Sequence, residues 1–126
     1  MKKNKRILVT GGAGFVGTNL IKFLLKKTNY KIISIDNYTS GTKLNHVKSS
    51  RVRYLRGDTM NISKLIKKPN QIETIFHFGE FARIYQSFLK MDQCIFSNSV
   101  GSNAIFNFCL KNKIKLIYSA TSASLG

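Results

Sequence analysis

Glycines at 11, 12, 14 and 17 and an aspartate at 36 are spaced to hold a dinucleotide. The spacing satisfies GxxGxxG through Gly11, Gly14 and Gly17, and GxGxxG through Gly12, Gly14 and Gly17. Gly11 would allow the tight turn off a strand, Gly14 would let backbone approach a pyrophosphate, and Gly17 would let the following helix pack close to the sheet. Phe15 and Val16 open that helix, so their N–H groups, with those of the glycines, present donors and a partial positive charge to phosphate. Asp36 lies 19 residues beyond Gly17, near the separation at which a carboxylate accepts from a ribose 2′-hydroxyl. A 2′-phosphate there would meet a like charge, a repulsion of about 4 kcal/mol per unit pair at about 4 Å and an effective dielectric near 20, so NAD is expected over NADP. The plain alternative is a glycine turn that binds no nucleotide.

This constellation needs a strand before it, a helix after it and a second strand ending at the acid. Ile7 to Val9 is a short apolar run without alternation, as in a parallel strand covered on both faces. Val16, Leu20, Phe23 and Leu24 recur at helical spacing, and Ile32, Ile33 and Ile35 form a second buried run ending at Asp36. Asn37 to Gly41 reads as a polar loop, with a short helix over Lys43 to Lys48. Val52 to Leu55, interleaved with arginine, reads as an edge strand closed by Gly57 and Asp58. Ile62, Leu65 and Ile66 mark a short helix that Pro69 ends, and Thr74 to Phe78 a fourth strand. From Gly79 to Phe88 a loop and broken helix are expected, then one long helix over Asp92 to Asn112. Its buried stripe is Phe96, Val100, Ala104 and Phe108, with Ile105 and Cys109 beside it. Leu116 to Tyr118 is a fifth strand, and Ser119 to Gly126 a small-residue loop. Alternating strands and helices imply α/β architecture: a doubly wound parallel sheet of Rossmann type in the order 3-2-1-4-5.

The 126 residues amount to one domain, which would bury roughly two thirds of its extended surface. A net charge of +16 raises nucleic acid as a partner, but the basic residues are scattered over helix ends and loops. No RNP-like aromatic motif, zinc-finger spacing or recognition helix accompanies them, so no nucleic-acid role is expected. Cys94 and Cys109 match neither a CxxC pair nor a disulfide scaffold, and His46 and His77 complete no metal set. Reduced thiols and a cytoplasmic location are the expectation. Met1 to Arg6 ahead of an apolar run looks superficially like a leader, which the glycines inside that run contradict. No stretch reaches the roughly 18 apolar residues of a membrane span.

Taken together, these motifs resemble the NAD-dependent sugar-nucleotide epimerase/dehydratase family, the extended short-chain dehydrogenase/reductases. TGGAGFVG (10 to 17) is similar to that family's TGxxGxxG loop, and DNYTSG (36 to 41) to the DNxxxG stretch of UDP-glucose 4-epimerases. The resemblance extends the cofactor set beyond Gly11, Gly14, Phe15, Val16, Gly17 and Asp36. It adds Asn37, Ser40 and Gly41, then Asp58 and Thr59 beside the adenine. HFGEFA (77 to 82) stands where the family has an HxAA-like segment, which assigns Phe78, Gly79 and Ala82 to the nicotinamide ribose. Ser97 and Asn98, followed by Gly101, are similar to the NxxGT helix segment that supports the cofactor. SATSASLG (119 to 126) resembles the SSSxxxYG turn, implying cofactor contact at Ser119 and, at Thr121, a hydroxyl on the reacting sugar oxygen.

Departures from the pattern bear on mechanism. Gly79 and Glu80 replace a small apolar pair, and Ala82 stands where some epimerases carry a lysine, with Arg83 adjacent. Leu125 takes a position where Tyr is common. The family's general base is the tyrosine of YxxxK, and none of Tyr30, Tyr38, Tyr54, Tyr85 and Tyr118 has lysine four residues on. The resemblance therefore implies the N-terminal cofactor half of a longer enzyme, ending before a sixth strand and the substrate domain. The intact enzyme would take a nucleotide sugar, pass a hydride to NAD and back through a 4-keto sugar, and form a homodimer that this portion alone would not. A 4,6-dehydratase and a non-catalytic NAD-binding or partner-binding module are the alternatives.

Overall fold

The computed structural model describes residues 5–39, 41–78 and 91–118. Five strands form one parallel sheet in the order β3-β2-β1-β4-β5, with β1 at Arg6–Thr10, β2 at Lys31–Asp36, β3 at Val52–Arg56, β4 at Ile72–His77 and β5 at Lys115–Tyr118. The helices are α1 (Phe15–Lys27), the single turn α2 (Ile62–Leu65) and α3 (Met91–Asn112), with 3-10 turns at Lys43–Asn45, Thr59–Asn61 and Pro69–Gln71. This is the expected Rossmann-type architecture, and Val52–Arg56 is indeed an edge strand.

Two apolar layers, one on each face of the sheet, hold it together. Ile7, Val9 and Ile32 pack against Ile21 and Leu24 of α1, while Leu8, Ile33, Ile35 and Ile75 pack against Ile62, Ile105, Phe108 and Cys109. Every second residue of β1 and β2 thus feeds the opposite layer, so these strands read as continuous apolar runs. Burial pushes the Cys109 thiol up to about 11, so it is neutral packing material at neutral pH. Among the described residues no helix is long and apolar enough to cross a membrane, and no three His, Cys, Asp or Glu side chains gather as a metal set.

The helical phase of α1 differs from the expected one. Its buried residues are Gly17, Thr18, Ile21 and Leu24, while Val16 and Phe23 are 54% and 57% exposed. The small Gly17 and Thr18 face inward because the loop backbone lies against them, leaving no room for the larger side chains. β4 starts at Ile72, two residues before the expected Thr74, because Ile72 is buried and pairs with Arg6. Within the expected stripe of α3, Ala104, Ile105, Phe108 and Cys109 join the core, and the side chains of Phe96 and Val100 lie outside the described part.

One arginine secures the α1 to β2 connection. Arg51 donates through Nη1 to the carbonyls of Thr28 at 2.8 Å and Tyr30 at 3.2 Å, and through Nη2 to that of Leu25. These carbonyls are at and just beyond the C-terminal end of α1, where a cation also opposes the helix dipole. Arg51→Ala is expected to cost about 2 kcal/mol in urea unfolding, and Arg51→Lys to recover less than half, because an ammonium lacks the planar fork.

Candidate functional site

The glycine loop joins β1 to α1 at the C-terminal edge of the sheet. Gly11 has φ 71°, a left-handed conformation that a side chain would strain. Its N–H donates to Ile35 O at 2.7 Å, and its carbonyl accepts from Gly14 N at 3.1 Å. Gly17 packs against that same turn: a Cβ there would lie 2.3 Å from Gly11 O and 2.8 Å from Gly12 Cα. The close approach expected of Gly17 is therefore made to the loop itself, not to the sheet. Gly14 differs. Its φ is −85°, and a Cβ would meet only Gly11 O at an ordinary 3.4 Å. Among the described residues, nothing in the packing requires glycine at 14.

α1 begins without the usual stabilisers of a helix start. Its N-cap, Gly14, supplies no side chain, and no acid occupies the first turn. The helix end is left with its partial positive charge, and Phe15, 81% exposed, and Val16 stand beside it.

Asp36 closes the loop from the neighbouring strand. Its Oδ2 accepts from Ala13 N at 2.9 Å and its Oδ1 from Tyr38 N at 2.7 Å, with the residue 7% exposed. Each carboxylate oxygen retains a second lone pair for a ligand. A Cβ on Gly41 would lie 2.7 Å from Asp36 Oδ2 and 2.9 Å from the Ala13 carbonyl carbon, so the 36–41 turn folds back onto the loop. Thr42 N and Asn45 Nδ2 both donate to Ala13 O, at 3.2 and 2.8 Å, binding the next segment to the same residue.

Asn37 and Asp58, assigned to one cofactor from separate motifs, meet directly: Asn37 Nδ2 donates to Asp58 Oδ1 at 2.8 Å. Thr59 opens the 3-10 turn that Asp58 precedes. Beside them Tyr38, at φ 63°, places its hydroxyl 2.6 Å from His46 Nε2, and the His46 ring stacks on Tyr54 at 3.7 Å between centroids. Burial and the Asp36 charge raise the Tyr38 hydroxyl above its ordinary value. This aromatic row carries no motif, and sequence reasoning missed it.

It also missed the buried link across β1, β4 and α3. Phe78 N donates to Thr10 Oγ1 at 2.8 Å, Thr10 Oγ1 lies 2.8 Å from His77 Nδ1, and His77 Nε2 lies 3.1 Å from Ser102 Oγ. With Thr10 donating to Nδ1, the other ring nitrogen carries the proton toward Ser102. The available signal was positional: Thr10 and His77 end neighbouring strands and are register partners. The bonds fix Phe78 against the glycine-loop strand.

Burial pushes His77 down to about 4 from 6.5. The native imidazole stays neutral down to that value, while the unfolded chain takes up a proton from pH 6.5 downward. Stability is thus expected to be flat with respect to this group above pH 6.5 and to fall by at most about 3 kcal/mol between 6.5 and 4. Urea midpoints across that range, compared with His77→Gln, check it: the variant should lack this part of the acid slope.

Ser40, Gly79, Ala82, Ser119 and Thr121 lie outside the described residues, as do Glu80 and Arg83. Ser97 and Asn98 fall within α3, and their side chains are likewise outside the described part.

Comparison with known proteins gives one consistent group. The model of the NAD dependent epimerase/dehydratase family matches residues 7–126. A UDP-N-acetyl-alpha-D-glucosaminuronate decarboxylase of Bacillus cytotoxicus is 28% identical over 97% of this chain and 38% of its own length. The UDP-N-acetylglucosamine 4-epimerase of Methanobrevibacter ruminantium, solved in complex with UDP-N-acetylmuramic acid, superposes with a TM-score of 0.83 at 29% identity, covering 98% of this chain and 40% of that one. Bordetella bronchiseptica WbmF, solved with NAD+, gives a TM-score of 0.84 at 25% identity over 94% of this chain and 37% of that one. The chain spans well under half the length of these relatives.

Proposed function

Because the chain belongs to the NAD-dependent epimerase/dehydratase family, we propose that it is the NAD-binding half of a nucleotide-sugar epimerase. The observation that carries this reading is Gly14. Gly11 and Gly17 are glycines for the chain's own sake, whereas Gly14 stands at a helix start that, among the described residues, has no side-chain cap and leaves steric room for a side chain. A ligand whose phosphates approach that backbone accounts for the residue, and a purely structural glycine turn does not.

NAD bound there would supply the hydride acceptor and donor. This chain's residues would orient it: the loop and first-turn N–H groups at the pyrophosphate, Asp36 at the adenosine ribose, Asn37, Asp58 and Thr59 toward the adenine. Ser40, Gly41, Phe78, Gly79, Ala82, Ser97, Asn98 and Ser119 complete the cofactor side, and Thr121 would hold the reacting sugar hydroxyl. The general-base role falls to none of the five tyrosines, since none is followed by lysine four residues on. A UDP-sugar substrate is supported by the UDP-sugar names of the relatives, and epimerisation, over dehydration or decarboxylation, by the DNYTSG stretch alone.

Calorimetric titration with NAD tests the cofactor reading. The chain should bind saturably, and Gly14→Ala should keep the native urea midpoint within roughly 0.5 kcal/mol while binding at least about tenfold more weakly. Equal NAD affinity in the two proteins, or no binding by the folded parent, would refute it.

A further inference from the structure

Asp36 and Arg56 are register partners at the C-terminal ends of β2 and β3. Neighbours in a parallel register are about 5 Å apart and project to the same face, here that of α1 and the glycine loop, as the bond from Ala13 N to Asp36 shows. The two side chains are in contrasting states. Asp36 is buried and already accepts two backbone N–H bonds, which disperse its charge. Arg56 is exposed, and among the described residues its guanidinium has no hydrogen bond or ion pair. What holds it is the Tyr38 ring, whose centroid lies 5.0 Å from its Cζ. Tyr38 in turn is fixed by its N–H to Asp36 and its hydroxyl beside His46. Asp58, the other acid at this edge, is engaged by Asn37.

A ribose whose 2′-oxygen reached Asp36 would thus bring any group on that oxygen beside a positioned, unpaired guanidinium, a fork that matches phosphate. Building on the cofactor reading above, we propose that Arg56 is a specificity-determining residue that receives the 2′-phosphate of NADP, so that this site accepts the phosphorylated dinucleotide as well as NAD. Arg56 offsets the repulsion that Asp36 alone would impose.

Titrations of the chain with NAD and NADP at low salt, in the parent, Arg56→Ala and Arg53→Ala, test this. Arg53 is equally exposed on the same strand but alternates to the opposite face, so it controls for bulk positive charge. NADP should bind the parent within roughly tenfold of NAD, and Arg56→Ala should weaken NADP by about 100-fold, the part of the Asp36 repulsion that Arg56 offsets, while leaving NAD unchanged. Arg53→Ala should alter neither ratio. Saturable NAD binding with an NADP affinity indifferent to Arg56, or equally sensitive to Arg53, would overturn the assignment and leave the cofactor reading standing. Failure of the folded parent to bind either nucleotide would overturn both.

Discussion

Asp36→Ala is expected to destabilise the chain by about 4 kcal/mol and to abolish measurable NAD binding. The carboxylate accepts from Ala13 N at 2.9 Å and Tyr38 N at 2.7 Å, and the variant leaves both donors without it in a region only 7% exposed. Hydrogen bonds to a charged group contribute about 1.5 to 3 kcal/mol each, and two of them place the sum near 4. Against a margin of about 5 to 15 kcal/mol for a whole domain, most of the reserve would be lost. The glycine loop would lose its tie to β2, so binding fails through the loop as well as through the ribose. Urea unfolding and NAD titration check the two effects separately. Asp36→Asn, which keeps one acceptor oxygen, should fall between the parent and alanine in stability. If Asp36→Ala unfolds at the parent midpoint and only its NAD affinity changes, the carboxylate serves the ligand alone.

The second large effect belongs to Gly17→Ala. A methyl group 2.3 Å from Gly11 O and 2.8 Å from Gly12 Cα meets backbone, which cannot swing aside as a side-chain end can. Either α1 moves away from β1 or the Gly11 turn opens, at about 3 kcal/mol, the upper part of the range for overpacking. NAD affinity should drop by at least about 100-fold, since both adjustments displace the N–H groups from the positions that phosphate requires. The contrast with Gly14→Ala is the informative comparison. One glycine should fail in stability and binding together, the other in binding alone. Thermal denaturation of the two variants side by side, with and without NAD, would show it.

The sheet order and the glycine loop were readable because each rests on a local, directional rule. Uninterrupted apolar runs mark strands covered on both faces, and three glycines at fixed intervals mark a strand-to-helix turn. The α1 phase differs from the apolar pattern because Val16 and Phe23 are apolar yet exposed, while two of the inward positions are taken by Gly17 and Thr18, which hydrophobic counting undervalues. Spacing singles out Asp36 as a candidate acid for a ribose, but its two bonds to Ala13 and Tyr38 depend on how the 36–41 turn folds back, which spacing does not encode. The same holds for Arg51, whose three carbonyl partners lie 21 to 26 positions earlier, and for His77, 67 residues from Thr10. Long-range polar contacts between irregular segments leave no periodic trace.

β1 lies in the middle of the sheet although it comes first in the chain. Its partner on one side, β2, follows within one helical crossover, but its partner on the other, β4, is not synthesised until residue 77. Every nascent chain therefore passes through an interval in which the first strand has a finished edge and a bare one, with Leu8 awaiting the cover of Ile62, Ile105 and Phe108. Closing that edge requires a long excursion of chain, whose closure entropy adds to the folding barrier and grows only slowly with loop length. The bonds that Asp36 accepts from Ala13 and Tyr38 can form early and locally, whereas the link from Phe78 through Thr10 to His77 can form only when this late edge closes. The candidate site is thus complete only once β4 has paired with β1.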